Sequence, residues 1–244
     1  KISIIGLGLI GTSILHAIHA RKKEVVTTFA YDENSKHRDI VSEMKIATFV
    51  CNDIHDAVND ADLVILAVPV GSMKSVAIQI SSSLKKGSII TDTGSTKSSV
   101  INDITPFLPN NVYFIPSHPL AGTEYSGPES GFSTLFKNRY WLIVNKNETV
   151  QTQRLAVFFK KLGSIVEIVN AEYHDKILAI TSHLPHLIAY TIVGTASDLE
   201  ADLKNDVIKF SASGFRDFTR IAASDPIMWR DVFLNNSEAV LEML

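Results

Sequence analysis

Short apolar runs alternate with stretches of helical spacing through most of the chain. "ISIIG" (2–6), "VVTTFAYD" (25–32), "ADLVILAVP" (61–69), "GSIITDTGS" (87–95) and "NVYFIPSHP" (111–119) read as strands. The run at 61–69 is continuously apolar, the pattern of a parallel strand covered on both faces. Between these runs, "LIGTSILHAIHAR" (9–21), "HDAVND" (55–60), "SMKSVAIQISSSLKK" (72–86) and "STKSSVINDITPFL" (95–108) carry helical patterns. This alternation predicts βαβ units and a parallel, doubly wound sheet. A shorter strand–helix–strand follows at 140–145, 150–163 and 164–170. Beyond residue 170 the pattern changes to helix, first over 171–200 with one interior proline, and no strand is evident up to 244. The predicted architecture is therefore α/β: a Rossmann-type domain over 1–170 and an all-helical domain over 171–244. The second part is too short for a generous core of its own, so it is expected to pack on the first domain or on another subunit.

The composition narrows the function classes. The 244 residues are 45% apolar and 20% charged, with a net charge of −3. That balance, without a Lys/Arg block, does not suggest a nucleic-acid partner. Cys51 is the single cysteine, so no intrachain disulfide forms, which fits a reducing, cytoplasmic setting. No uninterrupted apolar run reaches the ~18 residues of a membrane span. The apolar start is punctuated by glycine and does not read as a signal peptide. The closing "AVLEML" reads as an unfinished amphipathic helix, and both termini are expected to be trimmed.

"GLGLIG" places Gly6, Gly8 and Gly11 at G-x-G-x-x-G spacing, after a strand and before a helix. The spacing alone is weak; that context gives it weight. The first glycine makes the tight turn, the second admits the pyrophosphate, and the third lets helix pack on strand. The helix N-terminus, with Leu9 and Ile10, then holds the phosphates. Asp32 lies 21 residues after Gly11, at the end of the second strand. A carboxylate there accepts hydrogen bonds from the ribose hydroxyls and repels a 2′-phosphate, so NAD is the expected cofactor. Val68 and Pro69 sit at a third strand end, where an open α/β sheet places its ligand.

The loop "IPSHPLAGTEYSGPESG" (115–131) is broken by prolines and glycines yet rich in polar groups. It is either slack chain or a built site. His118 follows a strand at the sheet edge where the nicotinamide belongs. Oxidising an alcohol requires a proton acceptor, and a neutral imidazole with a pKa of roughly 6.5 serves. Ser95, at the end of the preceding strand, is placed to hydrogen-bond that imidazole and fix its tautomer. His183 and His186, three apart on a helical pattern, share a face. No carboxylate or cysteine stands at ligand spacing from them, so no metal site is expected. Arg216 and Arg220, four apart, can point to one pocket, and Arg220 is the candidate carboxylate ligand. Trp229 reads equally as an apolar wall or as core.

Taken together, "GLGLIGTS", "DTGSTK", "SHPLAGTEYSGPESG", "SHLPH" and "GFRDFTRIAASDPIMWRD" resemble the prephenate dehydrogenase family, which includes the arogenate and cyclohexadienyl dehydrogenases of tyrosine biosynthesis. The resemblance runs from residue 1 to the end. It implies that His118 bonds the ring hydroxyl, that Ser95 orients it and touches the cofactor, that His186 positions the ligand, and that Arg220 binds a substrate carboxylate. Glu124 and Arg216 correspond to charged residues near the pocket entrance. The implied substrate site comprises Ser95, His118, Thr123, Glu124, His183, His186, Arg216, Arg220 and Trp229. The resemblance also implies a homodimer through the helical domain, with more C-terminal helix than this chain carries. Two other readings stand beside it. One is a 3-hydroxy-acid dehydrogenase with Lys176 as acid/base; the other is a non-catalytic NAD-binding regulator.

Overall fold

The computed structural model describes residues 1–21, 25–145, 148–199 and 201–244, with backbone alone at 201, 202, 204, 208, 217 and 218. In the predicted helix over 171–200, Glu200 lies outside the described residues. The first elements are β1 (Ile2–Ile5), α1 (Leu9–His19), β2 (Thr28–Tyr31), α2 (Ser35–Met44), β3 (Phe49–Val50), α3 (Ile54–Val58), β4 (Leu63–Leu66), α4 (Met73–Ile80), β5 (Ile89–Asp92), α5 (Ser98–Ile104) and β6 (Tyr113–Phe114). Their six strands form one sheet in the order β3-β2-β1-β4-β5-β6, every pair parallel.

Side chains alternate across this sheet, which explains the continuous apolar runs. Ile4, Leu63 and Ile65 join one core, with Ile14 and Leu15 of α1. Ile5, Val64 and Leu66 join the other, with Val58 of α3, Met73 and Ala77 of α4 and Val100 of α5. Both faces are dry, so both alternating sets must be apolar. The sequence pattern did not reveal α2 or β3. α2 buries Val41 alone, capped by the Asn34 side chain accepting from the Lys36 N–H, and β3 is two residues long.

The predicted strand at 111–119 divides. Tyr113 N–H donates to Ser88 O and Ile115 N–H to Ile90 O, continuing the parallel ladder. Pro116 then brings no donor, and its carbonyl accepts from Val144 N–H instead. The chain enters a second sheet of β7 (Ser117–Pro119), β8 (Tyr140–Val144) and, after α6 (Val150–Lys161), β9 (Ile165–Val169). β7 is antiparallel to β8, and β8 is parallel to β9. This sheet closes over α1: Trp141 of β8 stacks on Phe159 of α6 with ring centroids 3.8 Å apart, inside the first core.

The helical part comprises α7 (Ala171–Leu178), α8 (Leu184–Ser197), α9 (Ala201–Phe210), α10 (Ser213–Arg220), α11 (Pro226–Asn235) and α12 (Ser237–Met243). α7 and α8 are one run joined by a widened π turn at Ala179–His183, immediately before Pro185. A proline inside a helix removes a donor and crowds the preceding turn, and the extra residue relieves both. At 27 residues, Ala171–Ser197 is long and apolar enough by composition to cross a membrane. Its buried His174, Asp175 and His183 instead face a polar network described below.

Candidate active site

The glycine loop is shaped by sterics. Gly6 has φ +98°, and a Cβ there would lie 2.5 Å from Ala67 O; at Gly11 a Cβ would lie 1.9 Å from Gly6 O. Gly8 faces open space, with nothing within 4 Å of its Cβ position. It precedes α1 without a side-chain cap, leaving the first-turn N–H groups around Leu9 and Ile10 for a phosphate. The loop therefore fits a dinucleotide. Asp32 follows β2: Oδ2 accepts from Leu7 N–H at 2.6 Å, and Oδ1 accepts from Asn34 N–H at 2.8 Å. His37 Nδ1 stands 3.3 Å from Oδ2, and Arg38 donates to Asp32 O and Glu33 O at 2.7 and 3.1 Å. Val68 and Pro69 follow β4 at the same C-terminal sheet edge, half-buried and exposed respectively.

His118 lies on β7, not in a loop, and is 8% exposed. The expectation that Ser95 would hold its ring is not what the structure shows. His118 Nδ1 is 2.9 Å from His174 Nε2, and His174 Nδ1 is 2.8 Å from Asp175 Oδ1. Asp175 also accepts from the backbone N–H groups of Lys97 and Ser98, at 2.8 Å each. Ser95 is half-buried, and its hydroxyl has no hydrogen bond among the described residues. Beneath the histidines, the buried Lys97 ammonium pairs with Asp92 Oδ2 and donates to Ser117 O at 2.8 Å. The Ser117 hydroxyl donates to Asp92 O at 2.8 Å and accepts from the Trp141 indole at 3.0 Å. β5, α5, β7 and α7 are thus tied into one polar cluster. Burial is the main cause holding His118 well below the ordinary imidazole value, with His174, Lys97 and His183 adding to it. Burial also lowers His174, against the pull of Asp175. Asp175 itself lies below the usual carboxylate value: burial opposes this, but the hydrogen bonds from His174, Ser98 and Lys97 outweigh it.

The π turn brings His183 to the same cluster. At about 100° per residue, positions nine apart on a regular helix lie on opposite sides; the extra residue rotates His183 back toward His174. Asn236, preceding α12, donates through Nδ2 to Asp175 O and meets His183 Nδ1, both at 2.9 Å. His183 Nε2 lies buried beside the Ser95 backbone without a well-formed hydrogen bond. Burial first, then His174, lowers the His183 pKa to about 4. His186 is half-buried: its Nδ1 sits 2.8 Å from Ser182 O and its ring stacks on Trp229 at 3.6 Å. Trp229 is buried and also meets His183 edge-on. It is a platform for two histidines, more than an apolar wall.

Arg220, at the end of α10, reaches the 115–131 loop, its Nη1 3.6 Å from Glu124 Oε2. Arg216 is exposed one turn earlier on α10, and Thr123 is an exposed loop residue whose hydroxyl accepts from Tyr125 N–H at 3.2 Å. The loop is not slack. Pro128 is buried, and Phe132 N–H donates to the Ser13 hydroxyl of α1 at 3.1 Å.

Two family models match this chain. One, described as the nucleotide-binding domain of prephenate dehydrogenase, covers residues 17–170; the other, its dimerization domain, covers 170–244. The chain belongs to the prephenate dehydrogenase family. A cyclohexadienyl dehydrogenase of Zymomonas mobilis is 43% identical over 246 residues, spanning all of this chain and 83% of that protein. A prephenate dehydrogenase of Lactococcus lactis is 36% identical, spanning all of this chain and 67% of that protein. The solved prephenate dehydrogenase of Aquifex aeolicus, in complex with hydroxyphenyl propionate and NAD+, superposes with a TM-score of 0.88 at 31% identity, covering 99% of this chain and 84% of that one.

This prephenate dehydrogenase family member is a dehydrogenase whose nucleotide-binding domain is followed by a helical one. Sequence reading missed His174, Asp175, Asn236, Asp92 and Lys97 as parts of the histidine cluster. A signal for two of them was present: "YHD" (173–175) places an acid beside a histidine just after the last strand. The pairing with His118 spans 56 residues, which no local pattern shows.

Proposed function

We propose that this chain oxidises prephenate, or its amino counterpart arogenate, with loss of carbon dioxide, using NAD. The observation that carries the reading is His118, a neutral imidazole backed through Nδ1 by His174, with no hydrogen bond to Nε2 among the described residues. Such a ring is a ready proton acceptor. In the substrate, one ring carbon bears a hydroxyl and a hydrogen, and the opposite carbon bears a carboxylate. NAD, when bound, accepts the hydride from the hydroxyl-bearing carbon. His118 Nε2 takes the hydroxyl proton as the carbonyl forms. The bond to the carboxylate then breaks, carbon dioxide leaves, and the released electron pair makes the ring aromatic as a phenolate, whose oxygen takes back the proton from His118 Nε2 to give the phenol and a neutral imidazole. Arg220 binds a carboxylate of the substrate side, and His186, held flat on Trp229, lines the ring. The Aquifex relative's ligand has the same outline, a hydroxyl-bearing ring with a carboxylate on its side chain. Asp32 beside the loop supports NAD over its 2′-phosphorylated form. Exposed Leu203, Phe210, Leu234 and Leu241 on the helical part support a homodimer.

Against a 3-hydroxy-acid dehydrogenase stands the setting of Lys176. It is 43% exposed and paired with Glu242 at 3.2 Å and Glu172 at 3.8 Å, a solvated surface network and not a pocket base. The test is cofactor reduction followed by absorbance, with prephenate, arogenate and a 3-hydroxy acid offered in turn. Turnover of either cyclohexadienol with equimolar carbon dioxide is expected. Turnover of the 3-hydroxy acid alone, or of none, overturns the reading.

A further inference from the structure

We propose that His174, held by Asp175, is a positioning residue that keeps the His118 proton on Nδ1 and leaves Nε2 as the basic nitrogen. The inference rests on the reading of His118 as the proton acceptor, and it follows from counting donors along the chain Asp175–His174–His118.

The Asp175 carboxylate is an acceptor only. Both of its oxygens already receive backbone N–H groups, Lys97 on Oδ1 and Ser98 on Oδ2, so its orientation is fixed. His174 Nδ1, 2.8 Å from Oδ1, must therefore carry a proton. A neutral imidazole has one N–H, so His174 Nε2 is a bare acceptor. His118 Nδ1, 2.9 Å from it, must in turn be the donor. The single proton of a neutral His118 is then spent on Nδ1, and its Nε2 carries the lone pair. Reversing either bond would place two donors, or two lone pairs, face to face in a buried site.

Both rings are neutral because of their surroundings. His174 and His118 are buried, and the Lys97 ammonium lies close enough to disfavour a second positive charge on either. Asp92 is occupied by Lys97 and by the Gly94 and Ser117 N–H groups. His183 is engaged through Nδ1 by Asn236, whose other contact fixes the Asp175 carbonyl. Among the described residues, Asp175 is the one carboxylate hydrogen-bonded to either ring, through His174 Nδ1. The arrangement does for His118 what a buried carboxylate does for the histidine of a serine protease, with one more imidazole interposed.

The test uses the intact protein labelled with 15N-histidine, in which the shift of each ring nitrogen shows whether it bears the proton; loss of signals in His118→Asn assigns them. In the parent, without substrate, His118 is expected to carry its proton on Nδ1. Asp175→Asn offers an N–H where an acceptor stood and should move that proton to Nε2. It should also lower kcat by about 10²–10⁴-fold with little change in KM or NAD affinity. His174→Leu removes the acceptor and should lose at least about 10²-fold, whereas His174→Gln keeps an oxygen acceptor and should restore much of the rate. Asp175 also caps α5, so if its variant fails to fold, the two His174 variants and the parent tautomer decide. A parent His118 with its proton on Nε2 overturns the proposal, as do equal losses in His174→Gln and His174→Leu. A parent inactive on both cyclohexadienols sinks the functional reading instead, while the tautomer is still read directly.

Discussion

The backbone N–H of Leu7 donates to Oδ2 of Asp32 at 2.6 Å, so the glycine loop is tied to the end of β2 by the same carboxylate that the ribose should meet. Asp32→Ser removes both the tie and the charge. The kcat/KM ratio for NAD over NADP is expected to fall by at least one tenfold step, about 1.4 kcal/mol. His37 and Arg38 flank the position and would then meet a 2′-phosphate. Steady-state kinetics with both cofactors at one salt concentration measures this. A parent that already prefers NADP would remove Asp32 from the discrimination.

His118→Asn should lower kcat by at least ~10²-fold while NAD affinity stays nearly constant, since a base acts in the transition state. Because burial holds the His118 pKa well below 6.5, the parent's acid limb of kcat/KM should fall below that pH and activity should be flat through neutrality. A limb centred at or above 6.5 would contradict the dry, unprotonated base.

The buried histidines also link stability to acid. For His183 the folded pKa of about 4 lies below the unfolded 6.5, so the unfolded chain binds the proton first. Above 6.5 both states are neutral and nothing is lost; as pH falls from 6.5 toward 4, stability drains away, on the order of 3 kcal/mol from this residue. Urea midpoints at neutral pH and near pH 5 should differ accordingly, and His183→Asn should flatten the difference. An unchanged midpoint across that range would show that the ring is not buried neutral.

Arg220→Ala should raise KM for the cyclohexadienol with little effect on melting. Its bond to Glu124 is 3.6 Å long and Arg220 is 58% exposed, a pair worth under about 1 kcal/mol to the fold. Losing a desolvated carboxylate contact in the complex costs roughly 2–5 kcal/mol. Unaltered KM together with a lowered melting temperature would make Arg220 structural.

The sequence by itself determined the parallel sheet and the glycine loop with Asp32 behind it, and it singled out His118 as a candidate, though not its place on β7. Those features are local: alternation fixes which runs are buried on two faces, and the G-x-G-x-x-G spacing is a requirement of one turn, visible in six residues. α2 escaped because it buries Val41 alone, which leaves almost no periodic signal. Only the tertiary structure decided where the 111–119 strand breaks, because Pro116 withdraws a donor from one sheet just where Val144 of β8, 28 residues on, supplies another to its carbonyl. It also decided what holds His118. Asp175 reaches the backbone of Lys97 across 78 residues and His174 reaches His118 across 56, because burying these polar groups is tolerable only when each finds a partner, and the partners lie on elements that meet only after the two domains pack.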